Sequence, residues 1–114
     1  MTKKIIVGLI ENIKIETKEG KKKTIKAKID TGASKSSLDL NLASKLKLGP
    51  VIKSKVVKSA HGNRLRPIVV ATIELAGKTI KTQFTLADRS NMRYQVLIGI
   101  NVLKKGFLVD PSKK

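Results

Sequence analysis

Apolar and polar positions alternate along much of the chain. Between residues 24 and 29, Ile25, Ala27 and Ile29 take one face and Thr24, Lys26 and Lys28 the other, the period-two pattern of a half-buried strand. Ile5, Val7, Leu9, Ile13 and Ile15 predict one long or broken strand over residues 3–16. With Glu19-Gly20-Lys21 as the turn, residues 3–29 then form a hairpin. Residues 79–87 alternate again, with Ile80, Thr82, Phe84 and Leu86 opposite Lys81, Gln83 and Thr85. A strand with poorer alternation runs from Val51 to Ser59, and another from Arg64 to Leu75. The turn signal Ala60-His61-Gly62-Asn63 joins them, and Pro67 marks an edge or an irregular point. Tyr94 to Ile98 reads as a short buried strand and Phe107-Leu108-Val109 as a last one, with a polar loop over residues 88–93.

Helical spacing is confined to short stretches. Leu38, Leu42 and Leu46 recur four residues apart, Asp39 suits the negative-preferring start, and Gly49-Pro50 ends the run. Residues 99–105 form one or two helical turns closed by Gly106, and Ser34-Lys35-Ser36-Ser37 reads as a polar surface loop. The sum is a mostly β domain over residues 3–110, a small barrel or folded sheet with one short helix and a C-terminal helical turn. Residues 111–114 follow as a short, frayed basic tail.

Composition narrows this further. The chain has 114 residues, enough for one modest core, and with 40% hydrophobic but only 3% aromatic residues that core is aliphatic. Without cysteine, disulfides and thiolate metal sites are excluded. The N-terminal apolar run is broken by Gly8 and stopped by Glu11, too short for a signal peptide. No stretch approaches a membrane span, so the expectation is a cytoplasmic protein with no membrane partner. Twenty-five basic against 8 acidic residues give a net charge of +17, which favours an acidic partner or simply solvates the outward strand faces.

The candidate chemistry lies where the strand of residues 24–29 runs into Asp30-Thr31-Gly32-Ala33. A carboxylate at the end of a buried strand needs compensation for its charge. A second copy of the same group supplies it, because two carboxylates about 3 Å apart share one proton and divide the roles of base and acid. Gly32 lets the backbone turn, and Thr31 offers a hydroxyl to lock the loop. As a turn motif the triplet alone is a weak signal, since Asp, Thr and Gly are ordinary loop residues.

Asp30-Thr31-Gly32-Ala33 resembles the active-site loop of the retropepsin-like aspartic proteases, and the resemblance extends over most of the chain. The hairpin around Ala60-His61-Gly62-Asn63 stands where that family has its flap. Val96-Leu97-Ile98-Gly99-Ile100-Asn101-Val102-Leu103 stands where it has an apolar strand entering a glycine and a short helix. Lys28 to Ala33, Asp88-Arg89-Ser90-Asn91-Met92-Arg93-Tyr94 and Phe107-Leu108-Val109-Asp110 together resemble a narrower branch of small bacterial and archaeal domains labelled ATP-dependent zinc proteases. The zinc and ATP of that label find no support in the residues. One histidine, no cysteine and scattered acids give no three-ligand pattern, and no Gly-rich Lys-Ser/Thr loop is present, so no metal and no cofactor are expected. Where many retroviral members carry an acid after the motif and an arginine after the later glycine, this chain has Ser34 and Ile100, so both members of that pair are absent together.

The resemblance implies a retropepsin-like closed barrel and a homodimer, because the sequence holds only one Asp-Thr/Ser-Gly. It implies Asp30, Thr31 and Gly32 as the catalytic loop and Ala33, His61, Gly62, Asp88, Arg89 and Arg93 as residues that meet a peptide substrate. From the residues themselves His61 reads as a turn residue rather than a catalytic one, because nothing nearby has the spacing of a triad or metal site, while Asp88, Arg89 and Arg93 read equally as ties within their own loop. The family's association with glutamate-adding ATP-grasp enzymes points to acidic or polyglutamyl peptides. A catalytically silent binding module partnering such a ligase is the alternative. A nucleic-acid binder has the charge, but Tyr94, Phe84 and Phe107 are its only aromatics, which argues against a stacking platform.

Overall fold

The computed structural model describes residues 3–59 and 62–113, without the side chains of Val57 and Ser59. Nine strands and two short helices follow one another among these residues: β1 (Ile5–Val7), β2 (Ile10–Glu16), β3 (Lys22–Ile29), β4 (Ser36–Asp39), α1 (Leu40–Lys45), β5 (Lys53–Ser59), β6 (Gly62–Leu75), β7 (Lys78–Ala87), β8 (Val96–Ile98), α2 (Ile100–Leu103) and β9 (Phe107–Val109). Six of the strands close a barrel in the order β2-β3-β8-β4-β7-β6, with β6 returning to β2 through Ile13↔Leu75 and Ile15↔Ile73. The mostly β barrel expected from the alternation is therefore the observed fold.

The alternation translates directly into burial. In β3, Ala27 and Ile29 are buried and Ile25 half-buried, while Lys26 and Lys28 face out. In β7, Ile80, Phe84 and Leu86 point inward. Phe84 is the largest fully enclosed side chain, in one core cluster with Ile13, Ile15, Leu38, Ile98 and other aliphatic residues. Burying each such side chain contributes about 1.5–3 kcal/mol relative to leaving it in water.

Several details differ from the sequence pattern. The strand read from Tyr94 begins only at Val96, with Tyr94 half-buried and Gln95 exposed before it, and the strand read from Arg64 begins already at Gly62. The strand of residues 3–16 is broken at Gly8-Leu9. Its first part, β1, leaves the barrel and pairs in parallel with β9, through Ile5↔Phe107, Ile6↔Leu108 and Val7↔Val109. Val51 and Ile52 lie outside β5, exposed. Ser36 and Ser37 are not surface loop but the start of β4, and Ser36 is wholly buried, for a reason that emerges at the site. Residues 111–113 are tied down rather than frayed. Ser112 hydrogen-bonds the Asp110 carboxylate through its N–H and hydroxyl, and Lys113 pairs with Glu11 at 3.0 Å. Among the described residues no helix is long and apolar enough to cross a membrane.

Helix α1 begins where the sequence places it. Asp39 is its N-cap, accepting a hydrogen bond from the Leu42 N–H, and Leu38, Leu42 and Leu46 turn into the core. One element projects from the barrel. The β5–β6 hairpin runs in register from Lys53↔Ile68 to Ser59↔Gly62. This is the expected flap arm; Ala60 and His61 at its tip lie outside the described residues.

Candidate active site

The site is assembled by strand order. β8 inserts between β3 and β4, parallel to the first and antiparallel to the second. The loop from Asp30 to Lys35 therefore leaves β3, passes over the end of β8 and returns as β4. Each turn of this path is fastened to the β8–α2 junction. The Asp30 N–H donates to the Ile98 carbonyl at 2.9 Å, the Ile100 N–H to the Ala33 carbonyl at 2.8 Å, and the Asn101 N–H to the Ser34 carbonyl at 3.2 Å.

Gly99 is what allows this closeness. A Cβ there would lie 2.3 Å from the Lys35 carbonyl oxygen and 2.7 Å from that of Ala33, both backbone atoms that cannot rotate away. The Gly99 N–H is itself buried and donates to the Ser36 hydroxyl at 2.9 Å, which in turn donates to Asn101 Oδ1 at 2.7 Å. The Asn101 amide then donates to the Gln83 carbonyl and the Thr82 hydroxyl on β7. A buried hydroxyl with both partners is as acceptable in a core as a methyl, and that is why Ser36 sits inside.

Asp30 is half-buried at the outer end of this frame. Its Oδ1 accepts the Gly32 N–H at 2.8 Å and its carbonyl accepts the Ala33 N–H at 3.3 Å, so carboxylate and loop hold one another. Thr31 and Gly32 are exposed beside it. The Thr31 hydroxyl has no hydrogen-bond partner within the chain among the described residues.

A second loop, residues 88–95, stands next to Asp30. The buried Asp39 carboxylate reaches across to it, accepting the Arg89 N–H at 2.8 Å on Oδ1 while Oδ2 caps α1. Arg89 Nε donates to the Tyr94 carbonyl at 3.0 Å, closing the loop on itself. Burial pushes the Arg89 guanidinium below its ordinary pKa, and the negative charges of Asp39 and then Asp30 oppose that shift. Asp88 is exposed and turned to its own loop. Ser90 donates to it from its hydroxyl at 2.6 Å and its N–H at 3.0 Å, and these bonds hold the carboxyl below the usual aspartate range.

Between this loop and the β1–β2 break lies an open hollow of about 510 Å³, lined by Leu9, Ile10 and Met92 and by the cations of Lys28, Arg89 and Arg93. Of the residues expected from the sequence, the structure thus gathers Asp30, Thr31, Gly32, Ala33, Arg89 and Arg93 on one side of the barrel. Asp88 serves its loop, Gly62 stands on the flap arm, and His61 lies outside the described residues. Two supporting residues were not apparent beforehand. Asp39 reads as a helix cap, and its second hydrogen bond is made to a residue 50 positions away. Ser36 carries no sequence signal at all.

The fold is shared with known retropepsins. A Legionella pneumophila protein of unknown function superposes with a TM-score of 0.66 at 24% identity, over 96% of this chain and 94% of that one. EIAV protease complexed with the inhibitor HBY-793 gives 0.66 at 22% identity over 91% and 88%. A retropepsin-like aspartic protease from Rickettsia conorii gives 0.55 at 22% over 89% and 86%. The class is that of the retropepsin-like barrels. Within it, residues 40–114 match the family described as "Retropepsin-like aspartic endopeptidase RimB", and the chain belongs to that RimB-like family.

The matched residues begin after the Asp30 loop. Sequence similarity also extends to probable alpha-L-glutamate ligases of Shewanella pealeana and Shewanella halifaxensis, at 31% and 33% identity over 64 residues. Those residues are 55% of this chain and 14% of each ligase, so the chain spans a small part of the curated relatives' length.

Proposed function

We propose that this protein is an aspartic peptidase that works as a homodimer, with Asp30 of each protomer forming half of a shared dyad. The observation that carries the reading is the held Asp30. Its carboxylate is fixed by the Gly32 N–H at the mouth of a loop bolted to β8 and α2, in a chain of the RimB-like family. Two such carboxylates brought together retain one proton between them. The charged one takes a proton from a water, which attacks the peptide carbonyl. The protonated one stabilises the developing oxyanion and delivers its proton to the leaving nitrogen. Thr31, exposed and without a hydrogen-bond partner among the described residues, is available to brace the opposite loop. Ile6 and Leu108, facing one another across β1 and β9 and each about half exposed (48% and 52%), offer apolar surface for the second protomer.

The hollow beside Asp30 supports a peptide substrate with acidic character. Its apolar lining accepts side-chain carbon, and Arg89 and Arg93 supply cations for carboxylates. The flap arm of β5 and β6 would fold over the bound strand and exclude water. Among the described residues no three His, Cys, Asp or Glu side chains lie close enough to hold a metal ion.

The test is hydrolysis of neutral, acidic and polyglutamyl peptides from about pH 4 to 8, followed by mass spectrometry, with wild type beside Asp30→Asn. Cleavage that vanishes in Asp30→Asn supports the mechanism, and equal cleavage by both proteins sinks it. The similarity to glutamate ligases favours one second reading, a module that binds the product or the body of such a ligase without cutting. Specific binding of polyglutamate by wild type and Asp30→Asn alike, with no hydrolysis by either, would select it.

A further inference from the structure

The Asp30 loop borders a second hollow, whose lining includes no residue of the 88–95 loop. It measures about 270 Å³ and lies between the flap arm and the barrel. Lys53, Ser54 and Lys55 of β5 form one wall, Gln83 and Thr85 of β7 the floor, and Lys35, five residues after Asp30 on the same loop, the end nearest the dyad. We infer that this hollow is a carboxylate subsite, which reads an acidic side chain of the substrate at a distance from the bond that is cut. The inference rests on the peptidase reading for its purpose, though its binding chemistry stands by itself.

Three observations carry it. First, the cations are uncompensated. No acidic residue lines the hollow, and the ion pairs among the described residues (Lys14–Glu74, Lys47–Glu19 and Lys113–Glu11) all lie elsewhere. Three ammonium groups around a concave, partly apolar space focus positive potential into it more than the same charges on a convex face. Second, the site is anchored. Thr85 Oγ1 donates to the Ser36 carbonyl at 3.1 Å and lies 3.0 Å from the Ser37 hydroxyl, so the floor is tied to the strand that follows the Asp30 loop. The Lys35 carbonyl packs closely against Gly99, between Ser34, whose carbonyl accepts the Asn101 N–H, and the buried Ser36. A carboxylate held here is therefore held at a fixed offset from Asp30.

Third, the lysines continue. An adjoining hollow shares Lys35 and Gln83 and adds Lys81. Lys81, Gln83 and Thr85 form the outward row of β7, alternate residues about 6.6–6.8 Å apart. An extended peptide presents its own same-face side chains at that interval, so successive acidic residues would meet successive donors. Lysine suits this task better than arginine where the carboxylate's orientation varies, because it acts as a point charge on a flexible stem. The occupant favoured is an acidic peptide, since the site adjoins a peptidase-type loop and its lining includes no aromatic side chain for a base.

The experiment measures fluorescence anisotropy of labelled hexaglutamate and hexaglutamine peptides on the full chain at low and physiological salt. Proteins compared are Asp30→Asn, to exclude turnover, and Asp30→Asn carrying either Lys53→Gln with Lys55→Gln or the control pair Lys23→Gln with Lys26→Gln. Both pairs remove the same net charge from exposed strand positions. The expected result is a loss of about tenfold or more in hexaglutamate affinity for the Lys53/Lys55 pair, with less than about twofold for the control pair and no change for hexaglutamine. Equal losses for both pairs would mean general charge attraction and overturn the subsite. So would no loss for either, or a labelled oligonucleotide that binds as tightly and loses affinity in parallel. In the Asp30-intact background, hydrolysis of acidic and neutral peptides that ignores the Lys53/Lys55 change would refute the subsite but leave the peptidase. Lysine-dependent binding without hydrolysis would refute the peptidase but leave the subsite.

Discussion

Replacing Ser36 by alanine tests whether the loop that carries Asp30 is held from beneath. Its hydroxyl is enclosed, accepts the Gly99 N–H at 2.9 Å and donates to Asn101 Oδ1 at 2.7 Å. Alanine fits the space but removes both bonds. The buried Gly99 N–H is left without its partner, a loss of about 1–3 kcal/mol, and the Asn101 bond adds about 1 kcal/mol. The sum is about 2–4 kcal/mol. In a domain of this size that lowers Tm by roughly 10–25 °C. The neighbouring Ser37→Ala is the internal control. Its hydroxyl shares one bond with Thr85 from a half-buried position and is worth about 1 kcal/mol or less. Urea and thermal unfolding followed by circular dichroism, at one fixed protein concentration because association shifts apparent stability, would compare the two. A Ser36→Ala protein no less stable than Ser37→Ala would refute the argument that this hydroxyl organises the junction.

Other substitutions probe the remaining supports. Gly99→Ala, with its Cβ driven against the Lys35 and Ala33 carbonyls, is expected to destabilise by about 3 kcal/mol or more and to abolish peptide hydrolysis, read by unfolding and by turnover. Asp39→Asn presents an NH2 group to one of two backbone donors, Leu42 or Arg89. About 1–3 kcal/mol should be lost, with loosening of residues 88–95 visible as faster amide exchange there. Arg89→Met is expected to raise KM for acidic peptides more than for neutral ones. Equal effects on both would assign Arg89 to loop closure through Tyr94 alone. Burial raises the Glu11 carboxyl, but the Gly8 N–H and Lys113 outweigh it and leave the group below its ordinary value of 4.5. Its stabilisation is thus present above that value and lost as pH falls through the lower folded value. Glu11→Gln should flatten the acid side of the stability profile below about pH 4.5 and leave the neutral region's slope unchanged.

How much of this could be read from the chain depends on the range of the interaction. β3 and β7 were legible because a strand with one wet face writes its own period, as Lys26-Ala27-Lys28-Ile29 does. Helix α1 was legible because cap and apolar spacing lie within a few residues. Asp30-Thr31-Gly32 stood out because a carboxylate at the end of an inward-facing strand is chemically conspicuous. What stayed hidden is non-local. The insertion of β8 between β3 and β4, the return of β6 to β2 and the second bond of Asp39 are set by pairings with no local trace. Ser36 was misread for a different reason. Polarity predicts exposure only when the hydroxyl's partners are water, and here they are Gly99 and Asn101.

Strand β6 belongs to two bodies at once. From Ile68 to Leu75 it is paired with β7, and near its end with β2 as well, as part of a closed ring; from Gly62 to Ile68 its partner is β5, so that only Ile68 is shared. The arm is a cantilever clamped at one end, and the clamp falls beside Pro67, which has no amide hydrogen to add to the ladder. Deflecting the arm needs no barrel hydrogen bond to break. Hydrogen exchange along this one strand should therefore divide in two near residue 68, with amides beyond it exchanging only through global unfolding and those before it through a cheaper local opening. A single unbroken strand would then carry both the most and among the least protected amides of the protein. The stiffness of the closed ring and the compliance that would admit a peptide come from the same fourteen residues.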